Sequence, residues 1–357
     1  MKKAFYILFC VIFFGICTVF SLGMLIPGTS EAAENTDSLP DIVSDGKINH
    51  TFGNDLESWF SENFAFRNTI VDVYSELKLN MFSEGNSQVI AGKDDFLFFD
   101  ETLDCYMRNN RMSDDEIRAC AETLLHVQNE AESLGAEFLF VCAPNKNTIY
   151  HEMMPDRYLR NDVMSDLDRL YEELDLLGVS YTDLRSTLSD AAADELIYHK
   201  RDSHWNGAGA KLAFEQICDR FGVTPVGLAD RGPVTVNDFE GDLDALLFPG
   251  KIRYDNNTTY DFDGLYVYTS AFATPMDITI TTRGGGDGKL LMYRDSFGNA
   301  LIPYMASSFS EVRFERTTPY KTDLIGSFDA DFVIIEIAER NLRNLALYGD
   351  DSTDAIS

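Results

Sequence analysis

The chain has 357 residues, 45% of them apolar, which is enough for one sizeable core and leaves one or two domains open. Its formal charge is −30, from 59 acidic and 29 basic residues. Such a surface repels phosphate polymers and anionic headgroups, so nucleic acid is excluded as a partner.

Lys2 and Lys3 precede an uncharged run of 23 residues, Ala4 to Ile26. One helix of that length crosses a hydrocarbon layer of about 30 Å. The reading is a transmembrane signal anchor over 1–27, with a signal peptide cut near Ala32 or Ala33 as the alternative. Lysines before the run and Glu31 and Glu34 after it put the body outside the cytoplasm. Residues 28–50 are polar with Pro, Gly and Ser, and read as a flexible tether. Trp59, Phe60, Phe64, Ile70, Val73, Tyr74 and Leu77 then recur at mostly helical spacing, predicting a helix lying on the body.

Val89 to Phe99 predicts a hairpin of short strands. Ser113-Asp114-Asp115-Glu116 is a capping box that opens a helix, which Gly135 stops. Phe138 to Cys142 is a continuous apolar run, as in a strand buried on both faces. A helix over 163–177, a strand at 179–183 and a helix over 207–221 follow. Residues 223–283 break the rhythm with short aromatic, alternating stretches and predict a β-rich insertion. The alternation resumes with strands at 289–293, 312–314 and 332–337 and a helix at 298–307. Five strands separated by helices predict a doubly wound, mainly parallel α/β sheet within a body spanning 51–350, followed by an acidic tail at 351–357. In such folds ligands bind beyond the carboxyl ends of the strands.

Cys10 and Cys17 lie in the anchor. Cys105, Cys120, Cys142 and Cys218 are even in number, so disulfides are permitted in an oxidising compartment. The last three fall in apolar patterns that equally suit free buried thiols. No CxxC pair marks a zinc site.

Of five histidines, His204 has the most suggestive setting, Asp202-Ser203-His204-Trp205 just ahead of a helix. A carboxylate two positions before an imidazole can hold one ring nitrogen and leave the other as a base. Trp205 would close over the pair and exclude water. The matching nucleophile is Ser296, where the strand Lys289–Tyr293 runs through Arg294-Asp295 into a turn and a helix. The backbone N–H groups after it, at Phe297 and Gly298, would stabilise an oxyanion. At another strand end, Asn145 is a candidate side-chain oxyanion donor and Lys146 a candidate ligand for a carbonyl or sugar oxygen; a plain Pro144-Asn145 turn is the alternative. His199, Asp202 and His204 as metal ligands form a competing reading, but no further acidic cluster completes a shell. Neither metal nor cofactor is therefore called for.

These residues together resemble the SGNH-hydrolase-like proteins of the alginate O-acetyltransferase (AlgX/AlgJ) and DHHW group. The resemblance rests on Asp202-Ser203-His204-Trp205 and Arg294-Asp295-Ser296-Phe297. Gly92 to Phe98, Pro144 to Tyr150, Gly241-Asp242-Leu243 and Glu339-Arg340 echo it, so that it spans roughly 50–345. Ser203 stands where the DHHW name has a second histidine. The resemblance implies Ser296 as nucleophile, His204 as base and Asp202 as its orienting carboxylate. It further implies O-acetyl transfer to an extracellular polysaccharide, with a multi-spanning membrane O-acyltransferase as acetyl donor. An acetyl-polysaccharide esterase with the same triad and a non-catalytic polysaccharide-binding scaffold remain the alternatives.

Overall fold

The computed structural model describes residues 2–23, 39–44, 47–226, 231–271 and 274–347. The cleavage site at Ala32 or Ala33, most of the tether and the acidic tail at 351–357 lie outside them. The chain divides into two compact units, Met1–Asn86 with Asp244–Ile252, and Ser87–Leu243 with Arg253–Ser357.

The first unit holds α1 (Lys2–Gly23), α2 (Phe52–Asn63) and α3 (Arg67–Phe82). α1 is long and apolar enough to cross a membrane, with a mean hydropathy of 2.2 over Lys3–Phe20. The single helix expected around 59–77 is two helices, because Phe66 adopts φ 58°, a left-handed conformation in which an α-helix cannot continue. The stripe is also not buried: Phe60, Ile70, Val73, Tyr74 and Leu77 are exposed. Helical spacing identifies a face but not what covers it.

The second unit opens with the expected hairpin, β1 (Val89–Ala91) antiparallel to β2 (Leu97–Phe99). α4 (Asp114–Ser133) starts at the complete Ser113–Glu116 capping box, and the chain after it turns at Gly135 with φ 84°. β3 (Glu137–Ala143), α5 (Asp166–Leu177), β4 (Tyr181–Thr182), α6 (Arg185–Ala192) and α7 (Gly207–Phe221) follow. Next come β5 (Val234–Glu240), β6 (Tyr254–Thr259), β7 (Tyr266–Tyr268) and β8 (Thr279–Gly284). The unit continues with β9 (Lys289–Tyr293), α8 (Ile302–Ser308), β10 (Glu311–Glu315) and β11 (Phe332–Ala338).

The main sheet has the order β4-β3-β11-β9-β10-β8-β7. It corrects the expected five-stranded sheet: seven strands form a mixed sheet, in which β4 to β10 run parallel and β8 and β7 add antiparallel. The two extra strands come from the segment expected to be a separate β-rich insertion. Its alternation matched β-structure, but the partner of an edge strand is a long-range choice that local pattern does not encode. The remainder of the segment pairs as the hairpin β5–β6.

Continuous apolar runs in β3, β9 and β11 follow from burial on both faces. Phe138, Phe140 and Cys142 face α4 and α5, whereas Leu139, Val141 and Ala143 face α7 and α8. Each such fully buried large side chain contributes about 1.5–3 kcal/mol. Cys105, Cys120, Cys142 and Cys218 are all free thiols. Burial pushes the last three up, Cys120 and Cys218 to about 12.

Candidate active site

The segment between Tyr198 and Trp205 closes as a short loop through an isolated antiparallel bridge between those two residues. Asn206 then caps α7, its Oδ1 accepting from the Ala208 and Gly209 N–H groups at 2.9 and 3.1 Å. Inside the loop sits the ammonium of Lys146, donating to the carbonyls of His199, Lys200 and Asp202 at 3.1, 3.0 and 2.6 Å. Lys146 is therefore fully engaged in shaping the loop, and corrects the expectation that it would hold a substrate oxygen. Its burial pushes the amine down to about 7, against the pull of Asp202 and Asp242.

The loop orients His204. Asp202 Oδ1 lies 2.7 Å from His204 Nδ1 and accepts the His204 backbone N–H at 2.8 Å, while its Oδ2 accepts the Asp242 N–H at 2.8 Å. Burial by itself would raise Asp202, but the hydrogen bond and charge of His204 and the two backbone donors outweigh it, holding the carboxylate below its ordinary range. Across the ring, His204 Nε2 is 2.9 Å from Ser296 Oγ. Ser203 donates its hydroxyl to Asp242 Oδ2 at 2.6 Å, and that oxygen lies 3.6 Å from His204 Nδ1. Burial and then the charge of Asp202 raise Asp242. Gly241 permits this approach: a Cβ there would stand 2.2 Å from the Arg201 carbonyl.

Ser296 sits three residues beyond β9, at the carboxyl edge of the sheet. Asp295 pins its turn. Asp295 Oδ1 accepts the Phe297 N–H at 2.9 Å, and Oδ2 accepts the Ala338 N–H at 2.8 Å and Asn341 Nδ2 at 3.0 Å. The buried Glu336 carboxyl accepts the N–H groups of Asp295, at 3.2 Å, and Gly298. Burial, then the Asp295 charge, push Glu336 well above its ordinary value. Both backbone donors expected to face an oxyanion, Phe297 and Gly298, thus already bind carboxyl groups, because the turn spends them on holding its own shape. Asn145 is buried at the end of β3 and is not among the cleft-lining residues; its N–H donates to Glu339 Oε2 at 2.8 Å. Trp205 is buried beside the site and ties its two halves, donating Nε1–H to the Phe297 carbonyl at 3.1 Å.

Ser296, His204 and Asp202 line one cleft of about 470 Å³. Its opposite wall is built by the β5–β6 hairpin and β7, through Phe239, Asn257, Thr259, Tyr266 and Tyr268. β6 is held tightly against α7, since a Cβ on Gly207 would meet the Thr258 carbonyl at 2.0 Å. His199 does not join His204 in a ligand set: its ring stacks on Phe239 with centroids 3.6 Å apart.

Burial pushes His199 down from 6.5 to about 4. Between these values the unfolded chain binds a proton that the folded chain refuses, so this residue lowers stability as pH falls through the window and contributes nothing above it. Removing it in His199→Gln is expected to make the loss of unfolding free energy between pH 7 and pH 4 shallower, by at most about 3 kcal/mol. Denaturant titrations at the two pH values read this difference, and parallel losses in both proteins would contradict it.

Asp295 and Glu336 escaped sequence reading. The available signal was a charged residue inside an otherwise continuous apolar run, Phe332-Val333-Ile334-Ile335-Glu336-Ile337, since a carboxyl buried in a central strand requires a polar task.

The SGNH hydrolase-like domain of the acetyltransferase AlgX matches residues 89–253. That stretch includes Asp202, His204 and Asp242; Ser296 lies beyond it. The chain is 23% identical over 219 residues to the probable alginate O-acetylase AlgJ of Pseudomonas syringae pv. tomato, covering 61% of this chain and 52% of that protein. It is 24% identical over 196 residues to the AlgJ of Pseudomonas aeruginosa, covering 54% and 45%. It thus spans about half the length of the curated relatives it matches. Among solved structures, a DHHW family protein from Eubacterium siraeum superposes with a TM-score of 0.56 at 16% identity, covering 72% of this chain and 97% of that one. Bacillus cereus PatB1 does so with a TM-score of 0.55 at 16% identity, with the same coverage. At these identities the structural likeness establishes the fold. Over 89–253 the sequence is thus similar to the SGNH hydrolase-like domain of AlgX, and its fold is similar to those of the DHHW family protein and PatB1.

Proposed function

We propose that the chain is a membrane-anchored, extracytoplasmic O-acetyltransferase acting on polysaccharide through an acetyl-serine. The observation that carries this reading is the unbroken contact from Asp202 through His204 to Ser296 at the floor of an open cleft. Ser296 Oγ attacks the acetyl carbonyl of a donor as its proton passes to His204 Nε2, and the donor's leaving group departs with that proton. A sugar hydroxyl then attacks the acetyl-serine, giving its proton to His204; the bond between the acetyl carbon and Ser296 Oγ breaks as His204 returns that proton to Oγ, leaving the acetyl group on the sugar. Asp202 holds the imidazole in the tautomer that accepts at Nε2 and stabilises the imidazolium.

The AlgJ relatives, named probable alginate O-acetylases, support the reaction class. α1 supports the anchor, and fixing the site at the membrane suits an acetyl donor that is itself a multi-spanning membrane acyltransferase. The aligned dyad favours catalysis over a purely scaffolding role, because a non-catalytic cleft has no use for a serine held on an oriented imidazole.

One solved structure of PatB1 carries a sulfonyl adduct, which suggests the probe. Phenylmethylsulfonyl fluoride added to the full-length chain in detergent is expected to label Ser296, read as a sulfonylated peptide by mass spectrometry. The label should vanish in His204→Ala, where the base is missing. Labelling elsewhere, or at an equal rate without His204, would remove the basis for this function.

A further inference from the structure

Resting on that reading of the site, we infer that the sugar accepted here is an uncharged glycan and not a polyuronate. Among the described residues, the lining of the cleft contains no lysine or arginine. Its ionised member is Asp202, with Asp242 immediately behind the imidazole. Three nearby cations have contacts of their own. Lys146 is buried beneath three loop carbonyls. Arg294 is buried too, donating to the carbonyls of Pro275 and Asp277 at 3.3 and 3.2 Å and to Asn299. Arg340 lies against the rings of Phe99 and Phe297.

A uronate brings one carboxylate per sugar. Desolvating it requires an arginine fork or a lysine, and among the described residues none lines this cleft. The field it meets is that of two carboxylates within a chain of net charge −30.

What the wall does offer is aromatic area, from Phe239, Phe262, Tyr266, Tyr268 and Tyr304, with Asn257 as a neutral hydrogen-bonding group. The hydroxyls of Tyr266 and Tyr268 lie 3.4 Å apart. The C–H face of a pyranose packs on such rings while its hydroxyls take the polar groups, the usual division of labour in a ligand cleft.

The test compares one oligosaccharide in two charge states: an oligomannuronate and the same oligomer after carboxyl reduction to oligomannose. Each is offered to the full-length chain in detergent with p-nitrophenyl acetate as donor, and acetylated sugar is counted by mass spectrometry. The reduced oligomer is expected to be acetylated at least about tenfold faster, the discrimination that an unpartnered like charge imposes in a cleft of effective dielectric ~20. In Asn257→Lys the ratio of carboxylated to reduced product is expected to rise. Equal acetylation, a preference for the carboxylated form, or acetylation of neither while Ser296-dependent release of p-nitrophenol persists would overturn the inference. Absence of Ser296-dependent release would instead remove the acyl-transfer reading beneath it.

Discussion

Replacing Ser296 by Ala is expected to lower kcat for p-nitrophenyl acetate by about 10³-fold or more, as removal of a catalytic serine does elsewhere. The change deletes the hydroxyl proposed to form the acyl intermediate, which lies 2.9 Å from His204 Nε2. Ser296 is half-buried, so stability should move by no more than about 1 kcal/mol, the net worth of one hydrogen bond. The thermal unfolding midpoint is therefore the control that separates lost chemistry from lost fold. A variant that keeps wild-type turnover would place the chemistry elsewhere.

Asp202→Asn should cost about 10⁴-fold in kcat, the loss seen when the orienting carboxylate of a serine hydrolase becomes an amide and admits the wrong tautomer. Here the substitution also costs stability. Asp202 accepts from three directions: His204 Nδ1, the His204 N–H and the Asp242 N–H. An amide can accept at one end only, so its NH₂ must face at least one buried donor, a clash of about 1–3 kcal/mol. The pH dependence follows from the depressed Asp202 value. The wild type holds this contribution above the ordinary carboxylate range and loses it as pH falls through the lower folded value; the variant lacks it throughout. Steady-state kinetics with denaturant titrations at pH 7 and pH 3 measure both effects. Activity within tenfold of wild type would show that His204 is oriented without Asp202, the neighbouring Asp242 being the evident substitute.

The placement of Asp202, His204 and Ser296 was largely legible in the sequence, for identifiable reasons. Asp202 and His204 lie two residues apart, so a single tight loop brings them together whatever the rest of the chain does. Ser296 follows a strand that is apolar on both faces, which fixes it at a carboxyl edge. The roles assigned to Lys146, Phe297 and Gly298 did not survive, because a donor's partner is decided by whichever acceptor folding brings closest. For Lys146 these are three loop carbonyls; for Phe297 N–H and Gly298 N–H they are Asp295 and Glu336. Asn145 likewise stands at the expected strand end, yet outside the cleft.

From the residues in order alone came the apolar first helix, the strand–helix alternation, and the loop and turn that carry Asp202, His204 and Ser296. These are local properties, set by periodicity, capping and burial along short stretches. Only the tertiary structure decided that a hairpin edge joins the sheet to make seven strands, that the apolar stripe of α3 is left exposed, and that a serine lies against an imidazole from 92 positions earlier. Those are long-range pairings, in which each partner is selected by competition among all surfaces the chain presents at once.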